Sequence, residues 1–148
     1  MPIERVFDSE PPTAGRRPRI VVADDDEDLR ALIVAALRCD GYDIVEARDG
    51  DEVLRCMRSS HRMPDAIVTD VCMPTRSGLS VLAAVRADGW LTPFVLVTAL
   101  ATESVRPQAE RLGADVLFRK PFDTDDLRTV VMNVLWPRGA LPALPTAP

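Results

Sequence analysis

The stretch RIVVADDDEDLR at residues 19–30 decides the fold, because a short apolar run passes directly into a cluster of acids. Residues 20–23 are rich in β-branched side chains, which favours a strand buried on both faces. Beyond the acids, apolar residues return at helical spacing at Leu29, Leu32, Ile33, Ala36 and Leu37. The stretch therefore predicts a strand, an acidic turn and a helix.

The same pattern recurs four more times along the chain. Short apolar runs at 42–45, 66–68, 94–97 and 116–118 alternate with amphipathic stretches. Glycines stand where the helices would end, at Gly41, Gly89 and Gly113, and Asp49 and Asp123 stand where helices would begin. Five strand–helix units predict an α/β fold, an open parallel sheet with helices on both faces, since a closed eight-unit barrel needs about 250 residues.

The composition bounds the class of protein. The chain has 148 residues, of which 47% are hydrophobic and 28% charged, which is typical of one globular domain. Residues 19–136 form the predicted domain, between a flexible tail at 1–18 and a Pro-rich tail at 137–148. A net charge of −5 disfavours direct binding of nucleic acid. We find neither a signal sequence nor an apolar run long enough for a bilayer, so we expect a cytoplasmic protein without membrane contact.

Polar residues follow four of the five predicted strands. Asp24 and Asp25 follow the first strand, Asp70 the third, Thr98 ends the fourth and Lys120 follows the fifth. In open parallel sheets, ligands bind beyond the carboxyl ends of the strands, so these side chains should share one rim. Carboxylates gathered there repel one another unless a cation joins them, and oxygen ligands without His or Cys pairs suit Mg²⁺, with Mn²⁺ as the alternative.

The residues predicted to lie near Asp70 suggest nucleophilic chemistry. A carboxylate that faces a metal ion, an ammonium and a hydroxyl can attack phosphorus and form an acyl phosphate. Lys120 is the single Lys among 18 basic residues, and its compact ammonium can approach both a carboxylate and a phosphoryl oxygen, unlike the planar fork of Arg. Asp26, Glu27 and Asp28 are better explained as a solvated turn at a helix start.

The motifs VVADDDEDLR, IVTDVCMPTRSG, VLVTAL and FRKPF, in that order and spacing, resemble the receiver domain of bacterial response regulators, of the kind found in chemotaxis regulators. The resemblance covers residue 19 to about residue 136. It implies a flavodoxin-like sheet with strand order 2-1-3-4-5. It further implies Asp70 as the phosphoacceptor, Thr98 as the switch hydroxyl and Lys120 as the cation that contacts the phosphate.

The resemblance also assigns the metal ligands. Asp24 and Asp25 become the acidic pair, in which Asp25 rather than Asp24 is expected to bind the metal directly, and Asp70 and the backbone carbonyl of Cys72 complete the set. The chain departs from the family at Leu117, where an aromatic switch residue is usual. An aromatic residue, Phe118, occupies the adjacent position in the sequence. Cys72 is a less common residue at its position, and we interpret its thiol as a bystander.

On this interpretation the partner is a histidine kinase or a phosphotransfer protein, and the chain is a signalling domain rather than an enzyme. The signal would leave through the fourth helix, fifth strand and fifth helix, at about 103–136, towards an unknown output partner. The protein would be a monomer or a phosphorylation-dependent dimer.

Three alternatives stay open at this stage. The first is a receiver-like scaffold that works without phosphorylation, and it stays open because Leu117 replaces the usual aromatic switch residue. A dehalogenase-type Mg²⁺-dependent phosphatase also uses an Asp nucleophile, but Cys72 stands where its second Asp belongs. A flavin carrier needs a Gly-rich phosphate loop after the first strand, where this chain has acids.

Overall fold

The computed structural model describes residues 15–59, 62–100 and 102–137. Most of the two predicted tails, residues 1–14 and 138–148, lies outside the described residues, so their flexibility stays a prediction. Within the described chain, strands and helices alternate throughout. They are β1 (Arg19–Ala23), α1 (Glu27–Cys39), β2 (Asp43–Ala47), α2 (Gly50–Ser59), β3 (Ala66–Asp70), α3 (Gly78–Ala87), β4 (Phe94–Thr98), α4 (Thr102–Leu112), β5 (Val116–Arg119) and α5 (Thr124–Leu135).

The five strands form one parallel sheet with the order β2-β1-β3-β4-β5. In the central pair, Ile20 of β1 lies opposite Ala66 of β3, and in the next pair Asp70 of β3 lies opposite Val97 of β4. The predicted open parallel sheet and its strand order are therefore confirmed. The chain reverses direction across the sheet between β1 and β3, and this switch point is where α/β folds bind their ligands.

Each strand buries alternate side chains against two helical layers. One core packs strand residues such as Val21, Ile67 and Leu96 against α2, α3 and α4. The other packs Ile20, Val68, Val95 and their neighbours against α1 and α5. Burial on both faces explains why the strand sequences are continuously apolar rather than alternating.

Acidic caps start three of the helices. Asp26 accepts hydrogen bonds from the amides of Asp28 and Leu29 at the start of α1, and Asp123 caps α5 in the same way. Asp49 accepts from the amide of Glu52 in the first turn of α2. These contacts confirm the predicted helix starts and place the acids at 26–28 in the solvated first turn of α1.

The buried face of α1 differs from the one that its apolar spacing predicts. Its buried residues are Arg30, Ile33, Val34 and Leu37, whereas Leu32 is 56% exposed. The helix is thus rotated so that a basic side chain takes the first position of the buried stripe. Among the described residues, no helix is both long enough and apolar enough to pass through a bilayer.

Candidate functional site

Four strand ends gather the predicted polar residues at one rim of the sheet. Asp24 directly follows β1, Asp70 ends β3, Thr98 ends β4 and Lys120 directly follows β5. Because β1, β3, β4 and β5 are neighbours in the sheet, their carboxyl ends lie side by side. Residues that are far apart in sequence therefore become close neighbours in space.

Three carboxylates converge at this rim. One oxygen from each of Asp24, Asp25 and Asp70 lies within 4.8 Å of the other two. Asp24 and Asp70 are buried, and Asp25 is exposed. The group thus has two fixed members and one that faces solvent. A cation placed among them would keep an open side for water or for a substrate.

The ammonium of Lys120 bridges the two buried acids. Its Nζ lies 3.1 Å from Oδ2 of Asp24 and 3.2 Å from Oδ2 of Asp70. The Lys120 side chain is 19% exposed, so it is largely but not completely buried. The peptide bond between Lys120 and Pro121 is cis, and the Lys120 amide donates to the carbonyl of Thr98 at 2.7 Å.

The site carries more negative than positive charge. Burial, and next to it the charge of Asp24, raises the pKa of Asp70 above its ordinary value, although Lys120 and the Cys72 amide partly offset this. Burial acts to lower the pKa of Lys120, but its hydrogen bonds and charge interactions with Asp24 and Asp70 outweigh it and raise that pKa. Lys120 is therefore charged at neutral pH, and a further cation would relieve the repulsion among the acids.

Backbone contacts fix the orientation of Asp70. Its Oδ1 accepts a hydrogen bond from the Cys72 amide at 3.3 Å, and the Val71 amide donates to the carbonyl of Val97 at 2.8 Å. A Cβ added to Gly78 would lie 2.2 Å from the carbonyl oxygen of Asp70. Gly78 thus allows the start of α3 to approach the Asp70 backbone more closely than any other residue could.

Thr98 lies next to the acids but is not bonded to them. It is fully buried, and its hydroxyl accepts a hydrogen bond from the Leu100 amide at 2.9 Å. In the described part of the chain, no hydrogen bond joins this hydroxyl to Asp70 or to Lys120. The structure therefore places Thr98 at the rim, where its backbone carbonyl contacts the Lys120 amide but its hydroxyl contacts neither the Asp70 carboxylate nor the Lys120 ammonium.

Leu117 and Phe118 point to opposite faces of the sheet. Leu117 packs against the core under α2, α3 and α4. Phe118 belongs to the other core and pairs with Phe122, with ring centroids 5.1 Å apart. Because neighbouring residues of a strand face opposite sides, Phe118 cannot take the place of an aromatic ring at 117.

The donor set fits a hard divalent cation. The three acidic oxygens come without His or Cys side chains among them, and Mg²⁺ or Mn²⁺ prefers such oxygens together with water. The Cys72 side chain is exposed, and its amide is the part of the residue that contacts Asp70. The donors thus suit the predicted ion.

Sequence reasoning missed two residues that shape the site. Arg30 is buried on α1 and donates from Nη1 to the carbonyl of Asp24 at 2.7 Å. Gly78 lies against the Asp70 backbone. A basic residue at the first position of an apolar helical stripe is the signal that could have identified Arg30, whereas nothing in the sequence predicts which backbone Gly78 touches.

Comparisons with known proteins identify one family. The family model of the response regulator receiver domain matches residues 20–132. The transcriptional regulatory protein PrrA of Mycobacterium leprae is 37% identical over 123 residues, which are 83% of this chain and 52% of PrrA. The alkaline phosphatase synthesis transcriptional regulatory protein PhoP of Bacillus subtilis is 32% identical over 79% of this chain and 48% of its own length.

A solved structure shows the same likeness. The receiver domain of the Francisella response regulator 1452 superposes with a TM-score of 0.74 at 32% identity, and the match covers 80% of this chain and 97% of that one. The chain belongs to the response regulator receiver domain family and is a receiver domain of the two-component type. It spans about half the length of the curated relatives named above. Receiver domains are signalling domains rather than classical enzymes, and neither the scaffold nor the phosphatase alternative finds support.

Proposed function

We propose that this receiver domain accepts a phosphoryl group on Asp70 in the presence of Mg²⁺. The observation that supports the proposal most is the position of Lys120, whose ammonium lies 3.2 Å from Asp70 and 3.1 Å from Asp24. One cation shared by two buried acids leaves negative charge for Mg²⁺ to balance. The same ammonium is placed to meet the oxygens of an incoming phosphoryl group.

The proposed reaction is a phosphoryl transfer from a phosphohistidine. An oxygen of the Asp70 carboxylate attacks phosphorus and forms the new O–P bond, while the P–N bond breaks and the imidazole leaves with its electron pair and takes up a proton. Bound Mg²⁺ would supply charge neutralisation to the carboxylates and the phosphoryl oxygens. Lys120 supplies a further positive charge, at 3.2 Å from the Asp70 carboxylate.

The remaining residues hold the reacting groups. Asp25, Asp70 and the Cys72 carbonyl are proposed as direct metal ligands, with Asp24 acting mainly through Lys120. Asp24 suits that role because it is buried and its Oδ2 accepts from Lys120, whereas the Asp25 carboxylate is exposed. Thr98 would exchange its hydrogen bond with Leu100 for one with a phosphoryl oxygen, and that exchange would pull the loop after β4 towards the site.

We further propose that the domain spans 19–136 and receives its phosphoryl group from a histidine kinase or a phosphotransfer protein in the cytoplasm. The signal would pass through α4, β5 and α5, with dimerisation as one form of output. PrrA and PhoP are transcriptional regulators by name, and this chain matches about half of each. A DNA-directed output is thus one that a partner or another region would supply, rather than this acidic domain.

Labelling with a small phosphodonor tests the proposal. Acetyl phosphate with Mg²⁺ should add one phosphoryl group to the wild type, and hydroxylamine should remove it, as expected of an acyl phosphate. Asp70→Asn should stay unlabelled. Asp88→Asn is the matched control, because Asp88 pairs with Arg58 on the protein surface. Equal labelling of wild type and Asp70→Asn would refute the assignment.

A further inference from the structure

Arg30 is a buried cation at a position where the fold needs none. It begins the buried stripe of α1 that continues through Ile33, Val34 and Leu37, and its side chain is only 8% exposed. An apolar residue would fill this place without the cost of removing a guanidinium from water. A buried charge at such a position calls for a role beyond packing.

The guanidinium joins the acidic turn to the edge of the sheet. Nη1 donates to the main-chain carbonyl of Asp24 at 2.7 Å, and Nε donates to Oε1 of Glu46 at 3.1 Å. Glu46 lies on β2, and its side chain is 43% exposed. Arg30 therefore bonds the turn through Nη1 and Glu46 through Nε. Binding two partners at once in this way needs the planar guanidinium of Arg.

The carbonyl that Arg30 binds belongs to the peptide group that joins Asp24 to Asp25. Peptide groups are planar, so fixing this carbonyl also fixes the direction in which Asp25 leaves the turn. The other polar atoms of Asp24 are held as well: its amide by Ala47, Oδ1 by Asp26 and Oδ2 by Lys120. In the described chain the exposed Asp25 carboxylate has no hydrogen bond of its own, so its place depends on that peptide.

We propose that Arg30 is a positioning residue that orients the Asp24–Asp25 peptide and thereby sets the affinity of the site for Mg²⁺. This role rests on the proposed magnesium site and adds a determinant that contacts neither the ion nor the phosphoryl group. Partners that orient metal ligands typically change metal affinity by about 10- to 100-fold when they are removed. Arg30 acts in this way through a backbone carbonyl rather than through a side chain.

This role predicts that removing Arg30 lowers the affinity for Mg²⁺ but leaves the rate of Asp70 labelling at saturating Mg²⁺ nearly unchanged. In Arg30→Met, the Mg²⁺ concentration that gives half-maximal labelling by acetyl phosphate should rise about 10-fold or more, because Asp25 is no longer held. The labelling rate at saturating Mg²⁺ should stay close to that of the wild type, because Asp70 and Lys120 keep their contacts. A Mg²⁺ titration followed by amide NMR shifts measures the same loss of affinity without any phosphodonor.

Two further variants complete the experiment. Ile33→Val is the matched control, because Ile33 lies on the same buried stripe of α1 and packs in the apolar core beneath α1 and α5, and this variant should bind Mg²⁺ like the wild type. Arg30→Lys keeps a positive charge but loses the fork, so its affinity should lie between those of wild type and Arg30→Met. If Arg30→Met does not fold, as judged by circular dichroism, Arg30→Lys alone decides.

The outcomes separate this role from the proposed function. A wild type that binds no Mg²⁺ refutes the magnesium site and the role of Arg30 with it. A wild type that binds Mg²⁺, together with Arg30 variants of equal affinity, refutes only the role of Arg30. An equal loss of affinity in Ile33→Val overturns it too, because the effect would then follow from loosening α1.

Discussion

The ammonium of Lys120 lies 3.2 Å from the carboxylate of Asp70, although 50 positions separate the two residues in the chain. The parallel sheet makes this contact possible, because β3 and β5 both end at the same rim with only β4 between them. The pair is held within a group that has three acids and one base, so its energetics depend on pH, on divalent cations and on the backbone around it.

Asp70→Asn should stabilise the protein when Mg²⁺ is absent. Burial and the charge of Asp24 raise the pKa of Asp70, so its ionised form weakens the folded state at neutral pH. Removing that charge should raise the free energy of unfolding, because a neutral amide then replaces a buried carboxylate that lies beside a like charge. Urea denaturation in the presence of a chelator measures the difference.

The same variant gives a pH signature. The folded state of the wild type binds the Asp70 proton more tightly than the unfolded state does. The contribution of Asp70 is therefore most favourable below its ordinary pKa of 3.8 and falls as the pH rises through the raised value. The advantage of Asp70→Asn should grow with pH over this range, and Mg²⁺ should reduce it. A less stable Asp70→Asn at neutral pH would contradict this account.

Lys120→Met should lower both labelling and stability. It removes the cation between Asp24 and Asp70, which should reduce the rate of labelling on the order of 100-fold, as for the loss of one charge-stabilising donor. Without Mg²⁺, the free energy of unfolding should fall by about 2 kcal/mol, since two buried acids then lack a counter-charge. Arg119→Met, which changes the exposed neighbouring base on β5, serves as the control and should lower neither the labelling rate nor the free energy of unfolding.

Gly78→Ala should disturb the site through the backbone alone. Its Cβ would lie 2.2 Å from the Asp70 carbonyl oxygen, so either α3 or Asp70 must shift, at a cost of about 2 kcal/mol. Labelling of Asp70 should fall with stability. Gly41→Ala is the matched control: a Cβ there meets open space, and only the positive φ of 86° is unfavourable, at about 1 kcal/mol. If both variants label equally well, Gly78 does not position Asp70.

Tyr42 offers a test of packing on the far side of the sheet from α2, α3 and α4. Burial, followed by the charge of Asp40, raises its pKa from 10.0 to about 12, against an opposing effect of Arg128. Tyr42 is the single tyrosine of the chain, so the phenolate absorbance reports it alone. The folded protein should titrate near pH 12 and the urea-unfolded protein near 10, so stability should decline as the pH rises between these values.

Asp40→Asn provides a second test of the raised pKa of Tyr42. Removing the Asp40 charge should move the titration of Tyr42 in the folded protein below that of the wild type. A folded wild type in which Tyr42 titrates at its ordinary value would show that the phenol is not buried as the structure has it.

The sequence was sufficient for the fold because its signals are local. Strands buried on both faces are continuously apolar, and Asp26 and Asp123 cap helices through hydrogen bonds to amides a few residues away. The convergence of Asp24, Asp70 and Lys120 also followed, because parallel strands deliver the residues after their ends to one rim.

Tertiary contacts determine the features of the site that could not be predicted from the sequence. Leu32 has the right spacing for the buried face of α1, but Arg30 takes a place in that face because its guanidinium reaches Asp24 and Glu46. Proximity in sequence likewise suggested Phe118 as a substitute for an aromatic residue at 117, yet the strand turns the two side chains to opposite cores. Both differences arise from contacts between residues of different elements.

A crystal structure with Mg²⁺ and beryllofluoride tests the central claim most directly. The account predicts beryllium bonded to a carboxylate oxygen of Asp70, with Lys120 in contact with a fluorine atom. It also predicts Mg²⁺ held by Asp25, Asp70 and the carbonyl of Cys72, and the Thr98 hydroxyl turned from Leu100 towards the fluorides. Beryllofluoride bound elsewhere, or a Lys120 directed away from an occupied Asp70, would contradict it.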